Sequence, residues 1–310
     1  MMIIAANLTW DAVSQLTVSG IINGAAYGLL GVGFALILGV TGRFHFAYAF
    51  TYTFAAYAVF WFSDRAGVPW WPSAILGILS AVVVGVAIER FIYRPIAARA
   101  GATALLSIFV ASLGVAIAGQ NLISLLFSSA SQQLSDSPVA LRTPIHWGPT
   151  AFRWLDVWQV VASFVLVLAL AALLRFTPLG RAVRATRGNP EMARIIGIDP
   201  NRIYLVVFAL GTLLCGVAAF WYGVKFSVQP DMGSTPVIFA FVVAFLAGTA
   251  SSPIRVFATG LLIGLIEQWS TIWLEVRWSQ LVVFVVLLLY VISLSIEPAR
   301  IAARLRARPL

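Results

Sequence analysis

The chain has 310 residues, of which 61% are hydrophobic and only 10% are charged. Soluble domains carry about 25% charged residues, so the composition excludes a soluble globular protein and indicates one embedded in a membrane. The formal net charge of +9 would suit a nucleic-acid partner, but the placement of the arginines along the chain accounts for it without one.

A helix needs about 20 apolar residues to cross a bilayer. Runs with few or no charges occupy 14–42, 44–62, 68–88, 102–127, 157–174, 203–224, 232–254, 256–274 and 278–296. The expected fold is therefore all-α: a polytopic transmembrane helical bundle of eight or nine spans, forming a single domain over 1–310. The first run carries Gly20, Gly24 and Gly28 at spacing four, continued by Gly31, Ala35 and Gly39. Small residues on one helix face let backbones approach closely. The stripe reads either as tight helix packing or as the wall of a translocation path, and Asn23 beside it is a neutral hydrogen-bonding group.

The second run follows a break at Gly42-Arg43 and is rich in aromatic and hydroxyl side chains. It reads as a full ninth span or as a re-entrant segment. His45 lies at its start, placed to face a cavity or to serve a structural role. In the fourth run Gln120 and Asn121 can bond across helices. The connection 128–156 is polar and is expected to be an external loop with a short hairpin. Cys215, the single cysteine, lies in an apolar run and allows neither an internal disulfide nor a cysteine-based metal site. Gly260 and Gly264 repeat the small-residue spacing, and Glu267 is the one acid placed inside a span. Ionisable groups at membrane depth are functional suspects, although a hydrogen bond to a neighbouring helix would also explain it.

Between the fifth and sixth runs lies T-R-G-N-P-E-M-A-R-I-I-G-I-D-P, residues 186–200. It has the punctuation of a two-turn helix. Asn189 is an N-cap, Pro190 suits the first helical position, and Glu191 meets the positive end of the dipole. Gly197 can close the helix in a left-handed conformation, with Pro200 blocking continuation. The segment 175–202 is thus a loop built around a capped helix flanked by arginines.

Orientation follows from basic residues in short loops. With nine spans, fifteen of the twenty basic residues fall on one side, six of them between 175 and 202. That side is expected to be cytoplasmic, with the N-terminus outside and the C-terminus inside. Because the first basic residue is Arg43, no cleavable signal with a positive leading region is expected. There is no phosphate-binding G-x-x-x-x-G-K-[ST] loop, no H-E-x-x-H and no G-x-S-x-G, and His146 has no acids at metal-ligand spacing. The chain is expected to be no enzyme, to hold no metal or cofactor, and to draw its energy from outside itself. An ion-coupled carrier is the competing reading, weakened by the single intramembrane acid.

Residues 177–203, T-P-L-G-R-A-V-R-A-T-R-G-N-P-E-M-A-R-I-I-G-I-D-P-N-R-I, resemble the cytoplasmic coupling region of branched-chain amino-acid (Liv-type) permeases of ATP-binding-cassette importers. Three further passages agree: I-N-G-A-A-Y-G-L-L-G-V-G-F-A-L-I-L-G-V in the first run, E-R-F-I-Y-R-P-I after the third, and L-L-S-I-F-V-A-S-L-G-V-A-I-A-G-Q-N opening the fourth. Glu89 to Pro95 favours the H-type subunit. The resemblance implies an inner-membrane subunit paired with an M-type permease or a second copy of itself. Its other partners would be two cytoplasmic ATPase subunits, which use the ATP, and an extracytoplasmic solute-binding protein. It assigns ATPase coupling to Arg181, Arg184, Asn189, Pro190, Glu191, Met192, Ala193 and Gly197, and implies branched-chain amino acids as solute. The sequence departs from the family at His45-Phe46-Ala47-Tyr48-Ala49 and at L-A-G-T-A-S-S-P-I near 246–254, where relatives carry more glycine. Urea or short amides, aromatic acids and other small solutes therefore stay open.

Overall fold

The computed structural model describes residues 10–133, 143–148 and 150–306. The chain opens with a 32-residue helix, α1 (Trp10–Thr41), and continues with α2 (Tyr48–Phe60). Next comes α3 (Trp70–Ala87), which runs through a π-helical turn, Ile88–Tyr93, into α4 (Arg94–Arg99). After α5 (Ala104–Phe127), a two-stranded hairpin pairs β1 (Pro144–Trp147) with β2 (Thr150–Arg153). Then follow α6 (Trp154–Phe176), α7 (Pro178–Gly188), α8 (Pro190–Ile195) and α9 (Pro200–Lys225). The last three are α10 (Ser234–Ala247), α11 (Pro253–Ser270) and α12 (Val276–Arg306). The expected hairpin in 128–156 is present, while Arg142, one of the five basic residues expected on the outer side, lies outside the described residues.

Each of the nine apolar runs coincides with a helix, but not all of them are long. Among the described residues five are long and apolar enough to cross a membrane: α1, the continuous Trp70–Arg99, α5, α6 and α9. The 14 residues of α10 rise only about 21 Å at 1.5 Å per residue, short of the roughly 30 Å hydrocarbon core; the 13 residues of α2 continue through a five-residue π-helical turn, Trp61–Arg65. α2 starts late and α10 ends early for a backbone reason. Gly42, at φ +66°, takes the chain out of α1, and residues 42–45 are non-helical; Gly248, at φ +80°, follows the last residue of α10, seven residues before its run ends.

α1 and α3 both end beside the Arg43–Glu89 contact, with α2 running back between them, and the helix ends collect at two faces. At one, Gln15 Nε2 donates to the Ala151 carbonyl at 3.1 Å, and Trp269 Nε1 donates to Thr17 Oγ1 at 3.1 Å. Gln132 and Val228 add a backbone bridge there. This is the hairpin end. At the other, arginine-rich end, Arg187 Nη2 donates to the Thr249 carbonyl at 2.6 Å, beside Gly39 at the end of α1.

The core consists of α1, α2, α9 and α10, whose residues are mostly buried, while α3, α5, α6 and α12 expose rows of apolar side chains outward. A helix apolar all round is one surrounded by protein or lipid, and α1 and α2 meet that description. The glycine stripe is a packing device. A Cβ on Gly24 would sit 2.7 Å from Leu261 Cα, and one on Gly28 would sit 2.9 Å from the Phe257 carbonyl oxygen. Gly260 and Gly264 return the contact from α11. Gly31, further along, meets Val243 of α10. At Gly24, Gly260 and Gly264 the nearest atoms are all backbone, so there the backbone itself would have to move.

That geometry reverses the usual effect of replacing a helical glycine. Gly→Ala in a helix gains roughly 0.5–1 kcal/mol from reduced chain entropy, but overpacking costs about 1–3 kcal/mol. Thermal unfolding in detergent should therefore show Gly24→Ala less stable than the parent. Gly114→Ala on α5, whose new Cβ would meet nothing within 4 Å, should be as stable as the parent or more so. Equal midpoints for the two variants would contradict the close α1–α11 approach.

Candidate functional site

Three places gather polar or exposed groups against the apolar trend, and the first is the break between α1 and α2. Along an extended stretch, residues two apart point the same way, and on a helix residues four apart share a face. Residues 43 and 45 of the non-helical link thus meet residues 89 and 93 of the π-helical turn as two rungs. Arg43 Nη1 pairs with Glu89 Oε1, and His45 Nδ1 lies 2.8 Å from the Tyr93 hydroxyl. Arg43 is 8% exposed, Glu89 2% and His45 1%. The Arg43 guanidinium also stands over the Tyr204 ring, 5.1 Å from its centroid, a cation–π contact. His45 therefore belongs to a buried clamp and does not line an open cavity.

The second place is the surface pair α7–α8 at the arginine-rich end. Asn189 caps α8, its Oδ1 accepting from the N–H groups of Glu191 at 2.9 Å and Met192 at 3.1 Å, with Pro190 following. Gly197 has φ +86°, and the Ile198 N–H returns to the Ala193 carbonyl at 2.9 Å. Of the eight residues expected here to serve coupling, Ala193 is buried against the bundle. Arg181, Asn189, Pro190, Glu191, Met192 and Gly197 are exposed. Arg184 is exposed too, but its guanidinium donates to the Leu174 carbonyl in the last turn of α6. Arg187 makes the corresponding bond to Thr249; partial burial lowers its pKa, and it stays charged because arginine starts so high. These two arginines stitch the pair to α6 and to the α10–α11 turn. Met192, Ile195 and Ile196 stand 60%, 76% and 69% exposed, an apolar patch on an otherwise charged surface.

The third place is a cavity of about 630 Å³ near the hairpin end, lined by α1, α2, Gln159 of α6, α9, the 226–232 link, α10 and Gln280 of α12. From α1 come Asn23, Ala26, Tyr27 and Leu30, one helix face distinct from the Gly20–Gly24–Gly28 face. Lys225 stands on its wall with Nζ 2.5 Å from Asp156 Oδ1 and 3.2 Å from Gln159 Oε1. Asp231 and Gln229, both exposed, lie at its rim. Tyr27 stacks on Phe239 with ring centroids 4.3 Å apart. Glu267 is buried near Tyr27 and is absent from the lining itself. One turn beyond Leu30, Phe34 packs edge-on to Phe46, Tyr48 and Phe241, and Phe44 stacks on Phe245. This aromatic plug separates the cavity from the arginine-rich end.

The other sequence-predicted polar groups lie apart from these places. Gln120 Nε2 donates to Ser234 Oγ at 2.8 Å, Asn121 bonds its own helix, and His146 is exposed on β1. Among the described residues no three His, Cys, Asp or Glu side chains form a metal-binding group. Lys225, Asp231, Tyr27 and Gln159 were missed by the sequence reading. The available signal was that Lys225 is the one lysine of the chain and ends an apolar run that nearby acids can neutralise.

Residues 16–291 match the family described as branched-chain amino acid transport system / permease component. The chain is 28% identical over 283 residues to the high-affinity branched-chain amino acid transport system permease protein LivH of Escherichia coli K12, covering 87% of this chain and 90% of that one. It is 27% identical over 289 residues to the corresponding protein BraD of Pseudomonas aeruginosa, covering 89% and 92%. It is also 25% identical over 201 residues to the ribose import permease protein RbsC of E. coli K12, covering 62% and 63%. No solved structure matches.

The buried clamp makes a double-substitution test. Removing one partner of a buried pair leaves an uncompensated charge and costs about 3–5 kcal/mol, whereas replacing both with apolar residues is often near neutral. Glu89→Leu and Arg43→Leu should each lower the thermal midpoint in detergent strongly. The double variant should recover most of that loss. A double variant as unstable as the two losses added together would show that the residues act independently.

Proposed function

We propose, from the premise that the chain belongs to the branched-chain amino acid transport system permease family, that this multi-pass membrane protein is one half of an importer's translocation unit. Its cargo is branched-chain amino acids or related small organic solutes. Separate cytoplasmic ATPase subunits drive it, a solute-binding protein delivers cargo at the opposite face, and a second permease, M-type or identical, completes the path.

The observation that carries this reading is the apolar patch of Met192, Ile195 and Ile196 on the capped α8. Exposed apolar surface of this kind marks a place where another surface docks. A lipid headgroup surface is the simpler occupant to consider, but it would recruit the arginines, and Arg184 and Arg187 are engaged on carbonyl groups. The remaining exposed set, Arg181, Glu191, Met192, Arg194 and Ile195, mixes both charges with apolar side chains, which suits a protein groove. The excess of arginines at this end favours its being cytoplasmic, where ATPase subunits reside.

The same stitches supply the transmission. A partner that grips α8 and moves pulls on the end of α6, through Arg184 and Leu174, and on the α10–α11 turn, through Arg187 and Thr249. That turn adjoins Gly39 and leads back along α10 to Phe245 and Phe241 of the plug. For ATP to shift the permease between two states, the motor must contact those states differently. A rigid capped helix tied to several spans allows this, and a solvated loop would not.

Reconstitution in liposomes tests the reading. The chain with its permease partner, ATPase subunits and binding protein should accumulate L-leucine only with ATP, and orthovanadate should stop it. Flux through the chain alone under an ion gradient would overturn the proposal. Glu191→Lys, which reverses charge at the start of α8, and Gly197→Val, which puts a β-branched residue at φ +86°, should each cut uptake about tenfold or more. Both should leave the amount of chain in the membrane unchanged; normal uptake by both would refute the docking assignment.

A further inference from the structure

We infer that the cavity near the hairpin end is a resting site for a zwitterionic α-amino acid with an aliphatic side chain, and that Lys225 and Asp231 fix its two charged groups. This rests on the import reading above and assigns that reading a binding site within this chain.

The cavity's size, about 630 Å³, falls within the 300–1,000 Å³ or so typical of small-molecule sites. Its chemistry is split. Toward the plug the lining is Leu30, Ala218 and the ring of Tyr27 braced on Phe239, while toward the rim it is Lys225, Asp231 and Gln229. An aliphatic amino acid has the same division, one apolar end and one end carrying an anion and a cation. The lysine ammonium has three donors. Gln159 accepts from one of them and Asp156 lies alongside as an ion pair, which holds the Lys225 side chain in place and leaves donor capacity for a carboxylate. Because Asp156 lines only the neighbouring, smaller cavity, it orients the lysine from behind without occupying the site. Asp231 supplies the opposite charge at the rim, where its carboxylate enters no ion pair among the described residues and is placed to receive an ammonium group. A neutral polyol such as a pentose would match the amides of the lining but would leave the Asp231 carboxylate at the rim without a counter-charge.

The chain's own cysteine, Cys215, is fully buried, so a cysteine introduced in the lining is the accessible thiol. In the complete complex, Ala218→Cys should react with a small methanethiosulfonate reagent added at the hairpin face, without binding protein. L-leucine should slow that reaction and D-ribose should not. Thr235→Cys, also in the lining, provides a second position should the first variant fail to fold. Adding Asp231→Asn or Lys225→Met should raise the half-protecting L-leucine concentration about tenfold or more, the loss of one charge-assisted bond. If the complex imports L-leucine yet L-leucine protects neither cysteine, or D-ribose protects equally, the site is wrong and the import reading stands. If protection occurs but neither charge substitution weakens it, the assignment of Lys225 and Asp231 is overturned. A complex that imports no L-leucine under ATP overturns the import reading itself.

Discussion

A polypeptide that leaves the helix inside a membrane bundle must find partners for the exposed backbone and for any polar side chains it carries. Non-helical backbone at that depth persists only where protein surrounds it. The link between α1 and α2 meets this demand with two rungs, Arg43 on Glu89 and His45 against Tyr93, drawn from a stretch of only six residues, 42–47. Much of the interior follows from that clamp. Because the link consumes six residues, α2 starts only at Tyr48. Because it is wrapped by α3, α5 and α9, α2 can bear tyrosines and threonines that lipid would reject. The bulky rings beside the clamp, Phe44, Phe46 and Tyr48, then form one side of the plug that closes the cavity from the arginine-rich end.

Close helix packing does the complementary work on the other side of α1. Gly20, Gly24 and Gly28 let α11 approach until backbone meets backbone, which leaves the Asn23–Tyr27–Leu30 face of the same helix free to line the cavity. One helix therefore carries a rigid seam and a cavity wall on different faces. The surface pair α7–α8 is joined to this core through Leu174, Thr249 and the buried contacts of Gly180, Val183, Thr186 and Ala193. A handle with few attachment points transmits a push along chosen helices and spares the rest, which is the property a coupling element needs.

The amount legible in the sequence differed by feature, for identifiable reasons. Hydrophobic runs gave the helices because burial in lipid or protein makes the same demand all along a span. The caps of α8 were readable residue by residue, since Asn189, Pro190 and Gly197 act within a few positions of themselves. Span lengths were less legible. A run of apolar residues does not reveal that Gly248 turns the backbone at φ +80° and splits one oily stretch into a short helix and a turn. Pairings between distant segments were not legible. Nothing in E-R-F-I-Y-R-P-I announces that Glu89 meets Arg43 or that Tyr93 meets His45, although the resemblance had singled out the motif. Lys225 looked like one more charge outside the bilayer because its partners, Asp156 and Gln159, come from a helix more than sixty residues earlier.

The account turns on which side of the membrane the arginine-rich end occupies. Ile195→Cys on α8, with Cys215 buried and unreactive, should be labelled by a membrane-impermeant maleimide in inside-out vesicles and spared in intact cells. Labelling of that position from outside intact cells would leave no motor able to reach α8 and would contradict the account.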